Sequence, residues 1–148
     1  MKDFFIDKFN YNHECNKRFI TLMVTSPEGY SPLAERWMSH ILNAQDIWNH
    51  RLEKKEFAKS YWPTFPLEQL NAINDNFHSQ SVALIRKTDL KAHISFRNSK
   101  GEVHNRFAED ILFHIVNHST YHRGQLILEL KKNGLTPIST DFTFIMDR

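Results

Sequence analysis

Four glycines and five prolines are all that punctuate 148 residues. A chain with so few places to turn favours long helices over a turn-rich sandwich. The turn residues mark the helices out. Residues 1–24 space Phe5, Phe9, Phe19 and Leu22 at helix-like intervals, and Ser26-Pro27-Glu28-Gly29 ends that run. Ser31-Pro32 opens a second helix, with Ser31 as N-cap and proline where its missing N–H matters least. This helix is expected to reach about Phe57, with Leu33, Trp37, His40, Ala44, Ile47 and Trp48 facing inward. Tyr61-Trp62-Pro63-Thr64-Phe65-Pro66 reads as a connection. A third helix over about 67–87 packs through Leu70, Ile73, Phe77, Leu84 and Ile85. Residues 93–98 and 102–107 flank Ser99-Lys100-Gly101 as a short hairpin or extended excursion. A fourth helix over about 108–132 stops at Asn133-Gly134. In the tail, 137–148, Phe142, Phe144 and Ile145 are expected to pack on the helices. The fold class is therefore all-α, a four-helix bundle with a short hairpin before the last helix.

The size suits one domain over 1–148, and 41% apolar residues, twelve of them Phe, supply a core. A net charge of +2 with interspersed signs offers no polybasic footprint for nucleic acid. The first residues, Met1-Lys2-Asp3-Phe4-Phe5-Ile6-Asp7-Lys8, are too charged for a signal peptide, and no run of about 18 apolar residues predicts a membrane span. Cys15 is the only cysteine, so no disulfide forms within the chain and a cytoplasmic setting is expected. It falls in a helix and reads as a small buried side chain rather than a nucleophile.

The last helix carries His114, His118 and His122 at four-residue intervals. At about 3.6 residues per turn they form a stripe, with Gln125 and Glu129 continuing it beside Ile111 and Ile115. A polar strip on a core-facing helix needs partners. A metal ion would satisfy it, and so would water and hydrogen bonds. Two imidazoles at i and i+4 can aim at one ion if a further ligand comes from elsewhere. His40, between Trp37 and Ala44, is a candidate. Paired histidines also arise by chance in a chain with nine. His13, His50, His78, His93 and His104 read as surface or half-buried side chains. Ser119 follows His118 where a zinc protease motif needs glutamate, which disfavours that class. Trp37 and Trp48 read first as core, and as walls of a pocket only second. Tyr121 and Arg123 point elsewhere on the wheel and read as packing or interhelix contacts. Gln125 is the better candidate to hold an imidazole or a water.

The run from Leu112 to Gln125, ending His122-Arg123-Gly124-Gln125, resembles the last-helix motif of the DinB/YfiT-like superfamily of small metal-binding bundles. Met38-Ser39-His40-Ile41-Leu42-Asn43-Ala44-Gln45-Asp46-Ile47-Trp48 resembles its second-helix motif, and Ser139-Thr140-Asp141-Phe142 a tail found in one subgroup. The resemblance implies up-down-down-up connectivity and a divalent metal, zinc or nickel, held by His40, His118 and His122. It leaves His114 to packing or support, and assigns no catalytic acid. Three imidazole ligands leave one position open to water or substrate, the layout of a catalytic site. Relatives include thiol S-transferases, so the function implied is a metal-dependent transfer of a low-molecular-weight thiol such as bacillithiol to a small molecule. A metal-dependent hydrolase and a non-enzymatic, stress-linked metal-binding bundle are the alternatives. A homodimer is expected by family analogy.

Overall fold

The computed structural model describes residues 1–136 and 138–146. Four long helices dominate it: α1 (Lys2–Thr25), α2 (Pro32–Leu52), α3 (Leu70–Lys87) and α4 (Ala108–Lys132). Between α3 and α4 lies an antiparallel hairpin of β1 (His93–Arg97) and β2 (Val103–Phe107), with Ser95 opposite Asn105. One helical turn, α5 (Phe142–Ile145), follows α4. α1 packs chiefly on α3 and α4, and α2 packs on the same two helices. Among the described residues no helix is long and apolar enough to cross a membrane.

The helix ends follow from their residues. Ser31 Oγ accepts the Ala34 N–H at 3.2 Å and donates to Glu129 Oε1 at 2.6 Å, tying the start of α2 to the far end of α4. At the end of α4, Gly134 adopts φ +81°. Its N–H bonds the Lys131 carbonyl, and that of Leu135 the Leu130 carbonyl, both at 3.0 Å. Those two bonds take up carbonyls the helix leaves open.

α2 stops at Leu52, short of the expected Phe57. The same closing pattern recurs there: Lys54 N–H bonds the Arg51 carbonyl and Lys55 N–H the His50 carbonyl, at 3.0 and 2.9 Å. Lys54 takes the left-handed conformation, φ +57°, where glycine usually sits. With no glycine to mark it, the stop is invisible to sequence punctuation.

The inner face of α2 is also rotated from the expected one. Leu33 is exposed, and Ala34, Met38, Ile41, Leu42, Gln45, Asn49 and Leu52 are buried. One residue is about 100° of rotation. Trp37, His40 and Trp48 are thus half-buried at the edge of that face rather than at its centre. Ala44 and Ile47 are buried as expected.

One apolar cluster joins Phe5, Phe9, Leu84, Ile85, Ile111 and Ile115 with Ile94 of the hairpin. The other joins Phe19, Ile20, Met38, Leu42, Leu70, Phe77, Leu126 and Leu130. Polar side chains inside the bundle bond each other. Gln45 Nε2 donates to Ser81 Oγ at 2.8 Å, and Ser81 Oγ donates to Asn49 Oδ1 at 2.9 Å. Cys15 is buried, as its helical position predicts. In the tail, Phe142 packs edge-on against Tyr11 and Ile145 is half-buried. Phe144 is 74% exposed and does not pack as expected. Pro137, Asp147 and Arg148 of that tail lie outside the described residues.

Candidate metal centre

The seam between α2 and α4 carries the candidate site. His118 and His122 leave α4 one turn apart, and His40 faces them from α2. One ring nitrogen from each of the three lies within 4.8 Å of the others. The closest approach is His40 Nε2 to His122 Nε2, 3.2 Å. Tetrahedral ligation at about 2.0–2.1 Å would place two nitrogens about 3.3 Å apart.

Proton positions sharpen this geometry. Gln125, three residues beyond His122, presents its side-chain carbonyl oxygen 2.5 Å from His122 Nδ1. A carbonyl oxygen only accepts, so Nδ1 carries the hydrogen and Nε2 keeps a lone pair. That lone pair faces His40 Nε2. His40 Nδ1 is buried and has no hydrogen-bond partner among the described residues. If His40 carries its proton on Nε2, it donates to His122 and Nδ1 is an unmet acceptor. If it carries it on Nδ1, that N–H is an unmet donor and two lone pairs oppose each other. A cation between the Nε2 atoms removes the repulsion of the second state. The donor set fits a divalent metal.

Burial keeps the His40 and His118 rings neutral, as ligands must be. Loss of hydration, helped by the nearby His122 and Arg36, lowers the His40 pKa to about 4. Loss of hydration lowers that of His118 to about 3, with the neighbouring His122, His40 and His114 adding to the effect. At neutral pH both present lone pairs.

Aromatic rings wall the group. Trp37 stacks on His122 with centroids 5.3 Å apart and planes 24° from parallel. It also meets the His40 ring edge-on at 6.4 Å. Trp37 packs against the apolar cluster of Phe19, Met38 and Leu126, as the core reading expects, and the rotation of α2 also sets it at the site's edge. Trp48 is half-buried too, edge-on to both Phe96 and His114 at 4.9 and 4.8 Å.

Sequence reasoning missed Trp62. It stands in the connection between α2 and α3, and its ring lies flat on that of His40, centroids 3.8 Å apart and 6° from parallel. Asp46, buried on α2, anchors this connection by accepting from Lys59 Nζ at 2.8 Å, and Asn43 donates to the carbonyls of Ser60 and Tyr61. The available signal was a large aromatic beside proline in a loop, which needs a surface to cover it.

The remaining candidates sort plainly. Gln125 holds an imidazole, as expected. His114 stays outside the three-histidine group, its ring 5.6 Å from that of His118 and against Trp48. Arg123 is buried and makes the expected interhelix contacts, donating to Asn12 Oδ1 and Asn16 Oδ1 of α1 at 2.5 and 3.1 Å. Tyr121 is 66% exposed and meets the His122 ring of its own helix edge-on. His13, His50, His78 and His104 are half-buried and His93 is exposed, all outside the group. Glu129 bonds Ser31 instead of joining the site. Among the described residues no fourth imidazole, thiol or carboxylate joins the three histidines.

The sequence model of the DinB family matches residues 25–148. No curated protein matches the chain, and no solved structure does.

Proposed function

The chain belongs to the DinB family, and from that premise we propose that it is a metal-dependent enzyme that joins a low-molecular-weight thiol to a small electrophile. His40, His118 and His122 are the proposed ligands. The observation that carries the reading is the 3.2 Å approach of two Nε2 atoms, one with its lone pair fixed by Gln125. The ion, when bound, supplies Lewis acidity that favours the thiolate form of a thiol brought to it.

The protein's own residues do the rest. Gln125 holds the His122 ring in one tautomer and one orientation. Trp37 stacks on the His122 ring and Trp62 on that of His40. With three protein ligands, one side stays open to a substrate.

The same reading takes residues 1–148 as one domain with up-down-down-up connectivity, zinc or nickel as the ion, and a homodimer in the cytoplasm. Phe113, Tyr121 and Leu128 support the dimer. They are 64, 66 and 62% exposed and fall within about 80° on the outer side of α4.

A test is turnover of 1-chloro-2,4-dinitrobenzene by the metal-loaded protein, followed by thioether absorbance. The reading expects a rate that requires both added thiol and metal, and that disappears in His118→Ala. Turnover without thiol would instead indicate hydrolysis.

A further inference from the structure

The hairpin, the end of α2 and the first turns of α4 enclose a cleft of about 420 Å³. That is within the range of small-molecule pockets. It lies beyond His114, which lines it, so it is separate from the three-histidine group.

Its walls are aromatic. Trp48 and Phe96 meet edge-on, and His104 stacks on Phe96 with planes 23° from parallel. Its charge is cationic. The Arg51 guanidinium sits 4.3 Å from the Trp48 ring centre and 4.7 Å from that of Phe96. Arg106 of β2 lines the same cleft. Neither arginine pairs with a carboxylate among the described residues. Arg51 Nη2 donates to the Arg97 carbonyl, and Arg106 Nη1 to the carbonyl of its own neighbour Asn105. Asp110 is the one acid in the lining, so the two arginines leave the cleft with a net positive charge.

Two guanidinium groups without carboxylate partners beside flat apolar walls form a matched pair of features. The walls suit a planar ring. The forked donors suit a carboxylate, which they can meet with two parallel hydrogen bonds. We infer that this cleft binds an aromatic carboxylic acid, its ring against Trp48 and Phe96 and its carboxylate on Arg106 and Arg51. The inference stands apart from the metal reading, since none of the three proposed ligands lines the cleft.

The test is calorimetric titration of chelator-treated protein with 2-naphthoate, and in parallel with the neutral 2-naphthalenemethanol. Naphthoate is expected to bind at least about tenfold more tightly than the alcohol. Arg106→Gln is expected to remove about that factor while leaving the alcohol's affinity unchanged. Arg106 is exposed and, among the described residues, its side chain bonds only a neighbouring carbonyl, so the variant is expected to keep the fold. His118→Ala is expected to bind naphthoate as the parent does. Equal affinity for acid and alcohol, or full affinity in Arg106→Gln, would overturn the assignment. So would binding that disappears in His118→Ala, since that places the carboxylate on the histidines. Failure of the metal reading leaves all these outcomes unchanged.

Discussion

His122 Nδ1 and Gln125 Oε1 stand 2.5 Å apart on α4, and this bond determines which nitrogen of His122 is free to bind anything. It turns a histidine with two possible tautomers into a directed lone pair. Replacing Gln125 with Leu keeps the size and removes the acceptor. Metal affinity is expected to fall by about 10–100-fold, read by competition with a chromophoric chelator. Gln125→Glu keeps an acceptor and should retain most of it. An unchanged affinity in Gln125→Leu would show that the bond does not orient the ring.

Stability of the metal-free protein should depend on pH through the buried imidazoles. His40 and His78 have pKa values lowered to about 4, and His118 to about 3, chiefly because burial disfavours the charged ring. Above the ordinary value of 6.5 the rings are neutral in both states and their contribution is whole. As pH falls below 6.5, the unfolded chain takes up protons that the folded chain refuses, so stability drops. The loss continues down to the folded values. Urea midpoints measured with chelator from pH 7.5 to 5 should decline, before carboxylates contribute. His78→Asn, outside the three-histidine group and stacked on His13, should flatten part of that slope. A constant midpoint over this range would contradict the burial of these rings as neutral groups.

Arg123 is 1% exposed, and its guanidinium is met by the neutral acceptors Asn12, Asn16 and Thr120. Arg123→Ala leaves a cavity and strands the two asparagines. Denaturant unfolding is expected to show a loss of about 2–5 kcal/mol. Metal affinity, measured under folding conditions, should stay near that of the parent, because Arg123 faces α1 while His122 faces α2. A stability change under about 0.5 kcal/mol would mean that this buried network contributes nothing.

Where the residue types themselves impose geometry, the fold was legible. Ser31-Pro32 starts α2 and Asn133-Gly134 ends α4 because capping and left-handed turns have residue preferences. Ser99-Lys100-Gly101 turns the hairpin for the same reason. The end of α2 was not legible, since Lys54 adopts the glycine conformation. Leu33 misled because a stripe read through Trp37 and His40 marks an edge of α2 rather than its core. At the site, His118 and His122 were readable from i,i+4 spacing, and His40 from an imidazole on an otherwise inward helix. Trp62 was not, because its place over His40 depends on the path of a whole connection held by Asp46 and Asn43.

Metal content tests the central claim most directly. The chain purified without chelator, with zinc or nickel supplied, should hold about one ion per molecule and lose thermal stability when the ion is stripped. His118→Ala should fold and hold none. A folded parent protein that takes up neither ion, or a His118→Ala variant that binds as well as the parent, would contradict the assignment of His40, His118 and His122.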